Sequence, residues 1–186
     1  MGRRLAASSV ARVQKHATAP CVLASHHPMA SKPLLAVDID GVISLFGFEE
    51  RPAHTQLQLV DGVPHCISLV CGARLLRLSE AFELVWASGW EDKANFYLPQ
   101  LLGLPELPHV SFDVAPGRGG AHWKLAALEA FAGERAIAWI DDNFDASCYE
   151  WAERRSAPTL LVPTEPQLGL EEGHVDALTA WASSLH

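Results

Sequence analysis

Three runs along the chain are apolar almost without interruption, and each ends abruptly in polar or acidic residues. Leu34-Leu35-Ala36-Val37 leads into Asp38-Ile39-Asp40-Gly41, Phe82-Glu83-Leu84-Val85-Trp86-Ala87 into Ser88-Gly89, and Ala136-Ile137-Ala138-Trp139-Ile140 into Asp141-Asp142-Asn143. Short apolar runs bounded by turn residues predict strands buried on both faces, as in a parallel sheet. Helical periodicity fills most of the spaces between them, over residues 72–82, 91–102, 146–155 and 175–184 and in a helix opening at His122-Trp123-Lys124. Further strands are expected near 109–113 and 159–162. The stretch 41–63 mixes turn residues with the alternating run Thr55-Gln56-Leu57-Gln58-Leu59, which suits a β-hairpin flap, and 64–70 adds another short strand. This alternation predicts an α/β, Rossmann-like three-layer fold with a central parallel sheet built from right-handed βαβ units.

The first 32 residues depart from this pattern. They hold five Lys/Arg and no acid, with no sustained apolar period, whereas residues 33–186 hold nine Lys/Arg against 22 Asp/Glu. A disordered basic tail is expected there, resembling an organelle transit peptide in composition; a start at Met29 is the alternative, since Met29 leads straight into the first strand. The remainder, 33–186, reads as one domain, long enough to bury a substantial core. No run approaches a membrane span. Cys21, Cys66, Cys71 and Cys148 form no CxxC pair, which disfavours a zinc site or a disulfide framework and favours a reducing, cytoplasmic setting. The acidic body is a poor match for a nucleic-acid backbone, so nucleic acid is a possible partner that charge does not favour.

The chemistry-bearing residues are ordinary one at a time. A serine at a strand end is usually a turn residue, a lysine at a helix start is usually solvated, and Asp-Asp-Asn after a strand most often caps the next helix. Their order along the chain is what argues for a site. An Asp-x-Asp-Gly, a hydroxyl, a lysine and a second acidic pair arrive in sequence, three of the four at the carboxyl ends of expected parallel strands, where open α/β sheets bind ligands. Two carboxylates a few Å apart repel by about 4 kcal/mol at an effective dielectric near 20, so such a cluster needs a proton, a cation or a function.

On these residues, the chain resembles the haloacid dehalogenase (HAD) superfamily between Leu34 and Val162. Its four motifs would be Asp38-Ile39-Asp40-Gly41, Ser88, Lys124 and Asp141-Asp142. The resemblance implies a Mg²⁺ ion and phosphoryl transfer through an aspartyl-phosphate. Asp38 is then the nucleophile and Asp40 the general acid and later base. Ser88 and the Gly89 amide donate to a phosphoryl oxygen, and Lys124 supplies positive charge to the same oxygens. The metal would take Asp38, the Asp40 carbonyl and Asp142, with Asp141 supporting Lys124; the roles within the Asp141-Asp142 pair could be exchanged. Dehalogenase members lack the second aspartate, so Asp40 favours phosphate esters over haloacids. Receiver domains share an acidic pocket, a hydroxyl and a lysine, but there the acidic pair comes first.

Only 47 residues separate Asp40 from Ser88 and 35 separate Ser88 from Lys124. No room remains for a large cap domain, so selectivity is expected from the flap (Phe46, Phe48, Arg51, His54) and from Arg118. The expected substrate is a phosphorylated small molecule or macromolecular end. Two alternatives carry different chemistry: a polynucleotide-end phosphatase of the RNA-repair type, and a non-catalytic HAD-like interaction module. A mutase shares the first half-reaction. Trp86 and Trp139 are expected in the core, and His65, His109 and His122 are expected to be structural or surface residues.

Overall fold

The computed structural model describes residues 32–113 and 120–185. The expected tail, apart from Lys32, and Arg118 lie outside the described residues. In chain order the elements are β1 (Leu34–Val37), β2 (Ser44–Leu45), β3 (Thr55–Val60), β4 (Val63–Ser68), α1 (Val70–Leu78), β5 (Glu83–Trp86), α2 (Ala94–Leu102), α3 (Leu125–Ala132), β6 (Ile137–Asp141), α4 (Ala146–Arg154), β7 (Thr159–Pro163) and α5 (Glu172–Ser183). Short 3₁₀ turns at Glu91–Lys93 and Ala121–Lys124 lead into α2 and α3.

Four strands form a wholly parallel sheet in the order β5-β1-β6-β7. Successive residues of a strand face opposite sides, and the apolar runs use both. Leu35, Val37, Leu84, Trp86, Ala138 and Ile140 pack with Leu75 and Leu78 of α1, Leu98 of α2 and Leu178 of α5. Leu34, Ala36, Val85, Ile137 and Trp139 pack on the other side with Leu128 of α3 and with Cys148 and Trp151 of α4. The uninterrupted hydrophobicity of these strands is thus the requirement of a sheet sandwiched between two helical layers. Each fully buried aliphatic side chain contributes about 1.5–3 kcal/mol.

The strand expected near 109–113 shrinks to a single parallel bridge between Trp86 and His109. The Trp86 amide donates to the Pro108 carbonyl and the Val110 amide to the Trp86 carbonyl, at 2.9 and 2.8 Å. Beyond that point the Phe112 amide turns away to the Glu91 carboxylate, 2.8 Å off, instead of extending the ladder. Including this bridge, the chain moves outward from β1 through β5 with α1 and α2 on one face. It then returns to the far side of β1 through β6 and β7 with α3 and α4 on the other face. The winding direction therefore reverses between β1 and β6, and a crevice opens at the carboxyl ends of strands at such a reversal. Asp38 follows one of these strands and Asp141 ends the other.

A second, antiparallel sheet has the order β2-β4-β3. Its hairpin is displaced from the expected 41–63. Asp61 and Gly62 carry φ of +50° and +83°, the positive pair that a two-residue primed hairpin turn requires. The turn joins β3 to β4, so the segment expected as a separate strand at 64–70 is the hairpin's second arm. No helix of the described residues is long and apolar enough to cross a membrane.

Candidate active site

Asp38, Asp40, Ser88, Gly89, Lys124, Asp141 and Asp142 all line one cavity of about 290 Å³, together with Trp90, Gly120, Ala121, Trp123 and Asn143. The seven residues singled out in the sequence thus come together. Strand parity explains part of the convergence. Asp38 and Asp141 continue the alternation of Ala36 and Trp139, which face α3 and α4, and Lys124 approaches from that layer. The Lys124 ammonium lies 2.7 Å from Asp141 Oδ2 and 2.9 Å from Asp38 Oδ2. All three residues are buried.

Lys124 ends the 3₁₀ turn and precedes α3, whose N-terminus carries partial positive charge. A buried ammonium there is unfavourable by itself. Burial lowers its pKa, but the facing carboxylates of Asp38 and Asp141 outweigh this and hold it above the ordinary lysine value. The role of capping α4, which Asp-Asp-Asn could have taken, falls to Asp145, whose carboxylate accepts from the amides of Ser147 and Cys148. Asp141 and Asp142 are thereby left to the cavity. The Asp141 Oδ1 accepts from the Asn143 amide at 3.0 Å.

Carboxylate oxygens of Asp38, Asp141 and Asp142 lie within 4.8 Å of one another, close enough to hold a metal ion. The trio includes Asp141, expected only as the partner of Lys124. The Asp40 carboxyl is not part of that trio. Gly41 makes room for Asp142. Its φ is +74°, and a Cβ built there would sit 2.3 Å from Asp142 Cγ. Gly41→Ala should therefore combine backbone strain with a clash, lowering stability by about 1–3 kcal/mol. The check is a denaturant titration, and an unchanged midpoint would contradict this account of the turn.

Burial and then repulsion from Asp38 push the Asp141 carboxyl up to about 7 and Asp142 to about 6. Asp40 is also raised, by desolvation against the cavity wall and by Asp38, and is partly brought back by Trp90, His65 and Ser44. A carboxyl with a folded pKa above its unfolded one holds its proton more tightly when folded. Its contribution is complete below about pH 4 and is lost as pH rises through 6 and 7. The metal-free protein should lose on the order of 1 kcal/mol of stability per pH unit across that window. Thermal melts in chelator between pH 5 and pH 8 check this, and a melting temperature that climbs with pH would contradict it.

Sequence reasoning missed several participants. His65 Nδ1 lies 3.3 Å from Asp40 Oδ1 and 2.9 Å from Ser44 Oγ. Trp90 is buried and donates through Nε1 to Asp40 Oδ2 at 3.0 Å. Trp123 and Asn143 line the cavity, whereas Phe46, Phe48, Arg51 and His54, expected to shape selectivity, do not. Only the hairpin's displaced turn hinted at His65: with the turn at 61–62, strand alternation puts His65 on the same face as the buried Ile67. Trp86 and Trp139 are fully buried in the core. His122 pairs with Asp145 at 2.5 Å, outside the cavity lining. No protein-family model and no curated protein matches the chain.

Proposed function

We propose that the chain is a Mg²⁺-dependent phosphohydrolase of the HAD type, acting on phosphate monoesters through an aspartyl-phosphate on Asp38. One observation carries the reading. A carboxylate at the winding reversal of a parallel sheet is gripped by a buried lysine 2.9 Å away, neighbours two further acids, and faces an open cavity.

The donor set fits a hard cation. Mg²⁺ takes one or two carboxylates together with waters and substrate phosphate oxygens, and Asp38, Asp142 and the Asp40 carbonyl would supply the protein's share. Bound there, the ion would neutralise charge on the phosphoryl oxygens and on the acids. An Asp38 oxygen attacks phosphorus and the bond to the leaving oxygen breaks as Asp40 delivers its proton there. Water then attacks the phosphorus of the acyl phosphate, Asp40 takes the water's proton, and inorganic phosphate leaves with Asp38 restored. Lys124, the Ser88 hydroxyl and the Gly89 amide are the donors available to the equatorial oxygens.

Charge narrows the substrate. Among the described lining residues Lys124 is the only cation, against four aspartates. A single phosphoryl group is matched by that lysine and a metal, and further phosphates would meet no second cation among those described residues. This favours a monoester with an uncharged leaving group over a polyphosphate or an oligonucleotide. Phosphate release from a panel of sugar phosphates, nucleoside monophosphates, aryl phosphates and 3′- or 5′-phosphorylated oligonucleotides, with and without Mg²⁺, tests the reading. Absence of Mg²⁺-dependent release from every member would refute it.

Metal binding gives a second check, because the acids must lose protons to coordinate. Mg²⁺ should raise the melting temperature saturably at pH 8, by less at pH 5.5, and not at all in Asp142→Asn. A flat response at pH 8 would favour an interaction module.

A further inference from the structure

We propose that His65 and Trp90 are positioning residues for the Asp40 acid, fixing its carboxyl so that the proton reaches the leaving oxygen. The inference rests on the phosphohydrolase reading and deepens it. Nearly half of the Asp40 side chain is exposed, and an exposed aspartate ordinarily samples several rotamers. Here each oxygen has its own neighbour. Trp90 Nε1 donates to Oδ2 at 3.0 Å, and His65 Nδ1 lies 3.3 Å from Oδ1. The hydrogen bond of His65 Nδ1 is with Ser44 Oγ at 2.9 Å, and Asp40 Oδ1 is its second, longer neighbour.

Both neighbours are themselves held. The His65 and Trp90 rings meet edge to face with centroids 4.6 Å apart, and buried Ser44 lies 2.9 Å from His65 Nδ1. His65 rides on β4, and the tip of its hairpin is tied down by Lys93 on Asp61 at 2.5 Å, three residues beyond Trp90. The second sheet thus meets the acid through His65 of β4 and through Ser44 of β2, which also bridges Asp40 and accepts from the Gly41 amide at 2.8 Å.

The leaving group distinguishes positioning from mere support. A dinitrophenolate departs unprotonated, whereas an alkoxide needs the acid. With Mg²⁺, His65→Ala and Trp90→Phe should lower the ratio of kcat/KM for an alkyl phosphate to kcat/KM for 2,4-dinitrophenyl phosphate at least about tenfold, a fraction of the ~10²–10⁴ worth of a general acid. His65→Asn, which offers an amide donor near the Nδ1 position, should restore much of the ratio. Equal losses on both esters would overturn the inference and leave the phosphohydrolase reading standing. Failure of the wild type to release phosphate from either ester and from every member of the substrate panel would overturn both. A measurement without turnover adds to this: in the substrate-free protein, Asp40→Asn should move the Trp90 indole N–H resonance, and an unmoved resonance would overturn the inference.

Discussion

Asp38→Asn should cut phosphate release by about 10³-fold or more while the protein stays folded. An amide keeps the shape of the carboxylate but cannot attack phosphorus. Lys124 retains Asp141 at 2.7 Å as its partner, so the buried ammonium is not stranded. Removing the Asp38 charge also relieves the repulsion that raises Asp40, Asp141 and Asp142. At pH 8 without metal the variant should therefore melt no lower than wild type. Activity on the best substrate of the panel and a thermal melt are read together. Turnover within tenfold of wild type would remove Asp38 from the nucleophile's role; collapse of the fold would remove the electrostatic account.

Lys124→Met should have the largest effect on stability, a loss of about 3–5 kcal/mol at pH 8, as when one partner of a buried ion pair is deleted. The methionine can fill the volume of the lysine stem, but Asp38 and Asp141 then face each other buried and uncompensated. Protonation relieves that conflict, so the loss should shrink at pH 5. Urea titrations at the two pH values check both statements. A loss that is equal at both, or greater at pH 5, would mean that packing of the stem, and not its charge, is what the site needs.

The parts of the fold legible in the sequence were those fixed by local pattern. Val37 beside Asp38, Ala87 beside Ser88 and Ile140 beside Asp141 mark strand ends because apolar burial stops abruptly where the crevice begins. Less legible was anything decided by a long-range partner. The expected strand near 109–113 dissolves after His109 because the Phe112 amide finds a carboxylate in Glu91, 21 residues earlier. The hairpin turns at Asp61-Gly62, beyond the alternating run Thr55–Leu59, because these two residues adopt the positive φ values that its tight turn needs. Helix α5 begins at Glu172 and not near 175, because Glu171 and His174 form a reciprocal cap, a pairing that looks in the sequence like scattered surface charge.

The candidate site follows the same division. Asp38, Asp40, Ser88, Lys124 and the acidic pair could be ordered from the sequence because strand ends and a helix start carry them to one edge of the sheet. His65 could not, since its contact with Asp40 depends on how the second sheet docks on the first. Trp90 lies two residues after Ser88, but that spacing does not say that its indole turns back to donate to Asp40.

The most direct test of the central claim needs no knowledge of the substrate. Beryllofluoride adds to an aspartate oxygen and mimics the aspartyl-phosphate only where a divalent cation and hydrogen-bond donors surround its fluorines. With Mg²⁺ and beryllofluoride, the wild-type protein should give bound ¹⁹F resonances that vanish in chelator and in Asp38→Asn. No bound resonance at saturating Mg²⁺ and beryllofluoride, or one that survives Asp38→Asn, would contradict the assignment of this cavity to phosphoryl transfer.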